Sequence, residues 1–117
     1  MNKTLKQQSI ESAAGFLAHR GYEILETGWT CAAGTADIIA RDGDALVFVD
    51  VRTRIGADKG MPAAGVSAEE RDSREKIAAF FLAGYAEVGV RIRFDDISLL
   101  ILAEDRALVR HHVNCLA

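Results

Sequence analysis

Between Leu5 and Arg20 the apolar residues Ile10, Ala13, Ala14 and Leu17 recur at the i, i+3, i+4, i+7 spacing of one helix face, and Gly21 is a natural stop. The pattern then changes period. Ala36–Ala40 and Ala45–Val51 are short apolar runs on either side of Asp42-Gly43, a pair suited to the positive φ angles of a tight hairpin turn. The second run is apolar on both faces, Leu46 and Phe48 on one and Val47, Val49 and Val51 on the other, as in a central strand covered from both sides. If Asp42-Gly43 or Arg41 to Asp44 is the loop, Asp37 faces Phe48 and lies diagonal to Asp50. Asp37, Asp50 and Arg52 then share one face, with diagonal positions roughly 7–8 Å apart.

Elsewhere the elements are plainer. Tyr22–Glu26 reads as a first strand and Thr27–Gly34 as a turn region in which Trp29 packs. Residues 54–66, with Gly56, Gly60, Pro62 and Gly65, have the composition of a mobile loop beside the hairpin. Ser67 and Glu70 have capping-box spacing, which starts a second helix at Ala68 and carries it to about Ala86, with Ala78, Phe81, Leu82 and Tyr85 as its stripe. Arg91 and Arg93 alternate with Val90, Ile92 and Phe94 on one strand face. Strands over Ile97–Leu102 and Leu108–Val113, joined by a turn at residues 104–106, give the order αβββαβββ or αβββαββ.

The 117 residues, half hydrophobic and a quarter charged, suit one domain over 1–117. Residues 1–8 are polar and the longest apolar run, Ile97–Ala103, is too short to cross a bilayer, so a cytoplasmic protein without a membrane partner is expected. Cys31 and Cys115, far apart and without CxxC spacing, read as free thiols. A net charge of −3 excludes coating of nucleic acid by bulk positive charge, though not a local basic face.

The charges at the hairpin change the picture most. Asp50 at the end of a buried strand needs a partner: Arg52, a metal ion, or solvent in a cleft. A strand end emerging into water with a local ion pair is the plainer alternative. Arg71, Arg74 and Lys76 could meet phosphates, but they are interleaved with Glu69, Glu70, Asp72 and Glu75, the pattern of a solvated helix face. His111 and His112, adjacent in a strand, point to opposite faces and do not make a zinc site.

The text Gly34-Thr35-Ala36-Asp37-Ile38-Ile39-Ala40-Arg41-Asp42, followed by Val47-Phe48-Val49-Asp50-Val51-Arg52-Thr53-Arg54, resembles the YraN-like family of small bacterial proteins. That family's core reads G-E-I-D-L-I-A-R-D, a turn, then V-F-V-E-V-K-x-R. Arg93-Phe94-Asp95 and His112-Val113-Asn114 resemble its later motifs. The family sits in the restriction-endonuclease-like PD-(D/E)xK superfamily, akin to Holliday-junction resolvases. The resemblance implies that fold, an α/β domain with a central mixed sheet flanked by helices on both sides, together with Asp37 and Asp50 as ligands of Mg²⁺ or Mn²⁺, and Asp37, Asp50 and Arg52 as the catalytic set. Arg54, Arg71 and Arg93 are the nucleic-acid contacts expected, DNA the partner, and a homodimer the assembly. The departures fall on the chemistry. Thr35 replaces a Glu, Asp50 stands for Glu and Arg52 for the Lys, Glu70 takes the place of a later helix Lys, and the first helix's Glu is Ile10. Glu11 lies about 100° round the helix from that position. Arginine, with a pKa above roughly 12, cannot act as a base. The sequence therefore points to a nuclease-fold protein that binds branched or single-stranded nucleic acid with weakened or lost cleavage. An active Mg²⁺- or Mn²⁺-dependent endonuclease is one alternative, and a small α/β interaction module with an Asp50–Arg52 ion pair is another.

Overall fold

The computed structural model describes residues 2–62 and 65–116. The first helix, α1, is Leu5–His19, and it opens with a reciprocal cap in which Thr4 Oγ1 accepts from Gln7 N and the Gln7 side chain accepts from Thr4 N. Gly21, at φ 91°, turns the chain out of it. Strands β1 (Glu23–Cys31), β2 (Gly34–Asp42) and β3 (Ala45–Ile55) follow, then α2 (Ala68–Ala83), β4 (Arg91–Ala103) and β5 (Arg106–His112). The order is αβββαββ. The five strands lie in sequence order across one mixed sheet, antiparallel except for β3 and β4, which run parallel and are joined through α2.

This is the α/β architecture expected, compatible with a restriction-endonuclease-like fold. β3 is the middle strand and is covered on both sides. Val47, Val49 and Val51 pack with Ile10, Ala13 and Leu17 of α1, while Leu46 and Phe48 pack with Ile77, Ala78 and Phe81 of α2. Each fully buried aliphatic side chain contributes about 1.5–3 kcal/mol relative to exposure, so these two small clusters hold the helices to the sheet. Trp29 packs edge-on against Phe81, with ring centroids 5.2 Å apart.

Two local expectations are corrected, the end of the first strand and the hairpin register, and of the two element orders left open the shorter one holds. The first strand does not end at Glu26: Gly28 takes φ 60° without ending it, because Thr27 and Trp29 still pair with Ile38 and Ala36. The segments around Phe94 and Ile97 form one continuous 13-residue strand, β4, because Asp95 and Asp96 between them are buried and paired rather than solvated. In the hairpin the turn is Gly43-Asp44, with Gly43 at φ 59° and Asp42 opposite Ala45. Phe48 therefore faces Ile39, not Asp37. The shift is two residues, so parity survives.

Gly34 closes the β1–β2 turn at φ 138°, where an added Cβ would lie 3.3 Å from Ile77 Cδ1 of α2. Gly34→Ala is expected to cost about 1–2 kcal/mol through backbone strain and crowding of α2. Urea unfolding checks this; an unchanged midpoint would refute it.

Candidate functional site

Pairing between β2 and β3 runs from the turn as far as Ile38 and Val49. One residue beyond, Asp37 Oδ2 accepts from Val51 N at 2.8 Å, so a side chain bonds an amide of β3 where the ladder has ended. The same oxygen accepts from Lys6 Nζ at 2.9 Å, and Lys6 also donates to Val51 O at 2.7 Å. Burial pushes the Asp37 carboxyl above the ordinary carboxylate range; the bonds from Val51 and Lys6 work against this and the charge of Asp50 adds to it.

Asp50 projects toward α2. Its Oδ2 accepts from Arg74 Nη2 at 3.1 Å and Arg52 Nε at 3.3 Å, and Arg52 Nη2 reaches Glu70 at 2.9 Å and Gly65 O at 3.0 Å. Arg74 continues the chain of charges to Asp96 Oδ1 at 2.8 Å. Burial alone would lower the Arg74 pKa, but Asp96 and Asp50 outweigh it and hold it above the ordinary value. Asp37, Asp50 and Arg74, with Thr35, Phe48 and Ile77, line one small cavity of ≈ 30 Å³. That is room for about one or two waters.

The expected residues thus divide. Asp37, Asp50 and Arg52 come together at the end of the hairpin. Arg54 stands next along β3 and donates to Lys59 O at 3.0 Å and Met61 O at 3.5 Å, bracing the loop. Ser98 Oγ to Pro62 O, at 3.4 Å, is a further tether for that loop; its residues 63 and 64 lie outside the described residues. Arg71 is exposed on α2. Arg93 is not in this group, because its guanidinium is fixed on Asp42 at 2.8 Å and Asp95 at 3.0 Å. Glu11 is also elsewhere, exposed and paired with Lys3.

Two members were missed in the sequence, and both carried a signal. Lys6 precedes Ile10 by four residues, and Arg74 precedes Ile77 and Ala78 by three and four, so each is a cation on a buried stripe. A charge in such a position needs a buried counter-charge.

Whether the site fits Mg²⁺ or Mn²⁺ follows from the donors. Such ions take six oxygens and commonly use one or two carboxylates with waters and substrate phosphate. Here one oxygen of Asp37 and one of Asp50 are already engaged by Lys6, Arg52 and Arg74, and no group of three candidate ligands occurs among the described residues. As arranged, the residues do not fit a divalent ion, because three protein cations hold the place its charge would fill.

A second buried carboxylate centre lies on the α1 side of β4. Asp95, 0% exposed, receives Arg93 Nε and Nη2 at 3.0 Å each and Asn114 N at 2.9 Å, with His111 Nε2 2.9 Å away and Tyr22 OH at 3.4 Å. Burial would raise its pKa, but His111, Arg93 and the Asn114 amide outweigh burial and hold the carboxyl below the ordinary range. His111 faces Asp95 on this side while His112 stands opposite Asp96 in the β4–β5 register, so the two imidazoles are divided between faces.

The model of Uncharacterised protein family UPF0102 matches residues 11–99, which take in the whole hairpin, Arg74 and Asp95. The chain belongs to this family. The UPF0102 match is the YraN-like relationship that the hairpin text resembled. Among relatives, a UPF0102 protein of Geobacter sulfurreducens is 35% identical over 113 residues, 97% of this chain and 88% of the relative. One of Roseiflexus castenholzii is 54% identical over 74 residues, 62% of this chain and 59% of the relative. A third, of Dictyoglomus turgidum, is 36% identical over 107 residues, 92% and 91% of the two chains. The UPF0102 model begins beyond Lys6, so the ammonium on Asp37 comes from outside the matched region. No described helix is long and apolar enough to cross a membrane.

Proposed function

We propose that this chain is a PD-(D/E)xK-type nuclease-fold protein that binds nucleic acid, DNA in branched or single-stranded form, with metal-dependent phosphodiester cleavage weakened or lost. One observation carries the reading: both hairpin carboxylates are matched by protein cations, Asp37 by Lys6 and Asp50 by Arg52 and Arg74. A cleft that collects metal presents acid to solvent. This one presents Lys6, 54% exposed, while Arg54 on β3 and exposed Arg71 on α2 are further groups that can meet phosphate oxygens. Arg52 contributes positive charge and a planar fork, not a base. Binding through such contacts is electrostatic and falls with salt. Cytoplasmic location and a homodimer matched to a two-fold symmetric substrate belong to the same reading.

The alternative of an active Mg²⁺- or Mn²⁺-dependent endonuclease draws on Asp37 and Asp50 lining one cavity. A binding and cleavage assay on branched, single-stranded and duplex DNA with either metal, comparing wild type with Asp37→Ala, separates the two. Binding without cutting, weakening steeply as salt rises, is expected for both proteins. Metal-dependent cutting that disappears in Asp37→Ala would establish the alternative instead. No binding to any form would leave the interaction module.

A further inference from the structure

Asp50 and Asp96 are side-by-side partners on the parallel strands β3 and β4, and both side chains turn to the α2 face. Two carboxylates so placed repel, and Asp96 is fully buried, where an uncompensated charge is strongly penalised. The group that reconciles them is Arg74. It is only 12% exposed, donates Nη2 to Asp50 and Nη1 to Asp96, and has Cys115 Sγ 3.4 Å from Nη1. It is also fixed from behind, since Ile77 and Ala78 on the next turn of α2 are packed into the core. This is a guanidinium built into the structure, unlike a surface arginine that samples partners.

We propose that Arg74 is the resident cation of the cleft, filling the place between the carboxylates of β3 and β4 that a divalent metal ion would otherwise take. The comparison is one of charge and donors. Arg74 lines the same cavity as Asp37 and Asp50. Asp96 Oδ2 is buried and has no hydrogen-bond partner among the described residues, so the second oxygen of that carboxylate is left for another cation. Without Arg74, Asp50 and Asp96 supply carboxylate oxygens from two neighbouring strands, and one or two carboxylates with waters are what Mg²⁺ and Mn²⁺ commonly take. Removing the guanidinium therefore exchanges an internal counter-ion for a site that takes an external one. The inference concerns the same cleft as the nucleic-acid reading but does not depend on it: absence of DNA binding would sink that reading and leave Arg74 in its role.

The test compares wild type, Arg74→Gln, Arg74→Lys and the double variant Arg74→Gln/Asp96→Asn by thermal melting, with Mn²⁺ or with NaCl at equal ionic strength, and by the electron paramagnetic resonance signal of free Mn²⁺. Wild type and Arg74→Lys should show no Mn²⁺-specific rise in Tm and take up no ion. Arg74→Gln should melt roughly 10 °C lower. It should recover much of that with Mn²⁺ while taking up about one ion per chain. Asp96→Asn in that background should abolish both responses. Uptake of Mn²⁺ by wild type or Arg74→Lys would overturn the proposal. So would an Arg74→Gln protein that Mn²⁺ neither stabilises nor allows to refold from denaturant.

Discussion

Asp95→Ala is expected to lose about 3–5 kcal/mol of folding stability, the cost of breaking a buried ion pair from one side. For a chain of 117 residues that corresponds to a fall of roughly 10–20 °C in Tm. The magnitude follows from what the carboxylate holds. Arg93 would keep only Asp42 as a counter-charge, His111 would lose the acceptor at its Nε2, and the Asn114 amide would lose its bond. The same centre sets a pH dependence. Because the Asp95 pKa is held down in the fold, its contribution is complete above the unfolded carboxylate value and is lost as pH falls through the lower folded one. Asp37 acts with the opposite sign, since burial raises its pKa: its contribution is present at low pH and is lost as pH rises through the raised folded value. Acid melts of wild type should therefore decline below about pH 4, and Asp95→Asn should remove most of that slope. A variant whose Tm and acid slope match wild type would show that the network contributes nothing.

Charge reversal at Arg54 and Arg71 carries the second large effect. Arg54→Glu/Arg71→Glu is expected to weaken DNA binding at least roughly tenfold near physiological salt and to reduce the slope of log K against log salt by about two. Arg71 is exposed, so Arg71→Glu alone should leave Tm within about 1 °C of wild type, whereas the double variant also loses the bonds from Arg54 to Lys59 O and Met61 O and should melt lower. Filter binding or fluorescence anisotropy across a salt series measures both quantities. An unchanged slope would mean that phosphates bind elsewhere on the surface.

The sequence carried the helices well because their signals are local. Ile10, Ala13 and Leu17 lie where a period of 3.6 puts them, and Ser67 with Glu70 makes the cap their spacing predicts. The hairpin was half legible. Asp42-Gly43 and Gly43-Asp44 are both reasonable turn pairs, and the structure uses the second, moving every partner by two while leaving the paired residues Ile38–Asp42 and Ala45–Val49 on their expected faces; beyond them Asp37 turns to Lys6 of α1 and Asp50 to Arg74 of α2. Asp50 and Arg52 were recognisable as partners because they are two residues apart on one strand. Lys6 for Asp37 and Arg74 for Asp50 were not, since their partners lie 31 and 24 residues away and no local pattern names a partner at that range. Whether one strand or two ran through Asp95-Asp96 stayed open for a related reason. Consecutive acids resemble a strand break, and only the sheet shows that one turns to Arg93 and the other to Arg74.

The parallel pairing of β3 with β4 also orders events in time. The β2–β3 hairpin closes over a two-residue turn and can form early, whereas Asp50 meets Asp96 only after the intervening chain, including α2, has been looped back. Arg74 travels on that returning segment. The hairpin can thus form as a ribbon well before it has counter-charges. Its two acids face water during that interval, and the native arrangement of the cleft is completed only when α2 and β4 dock.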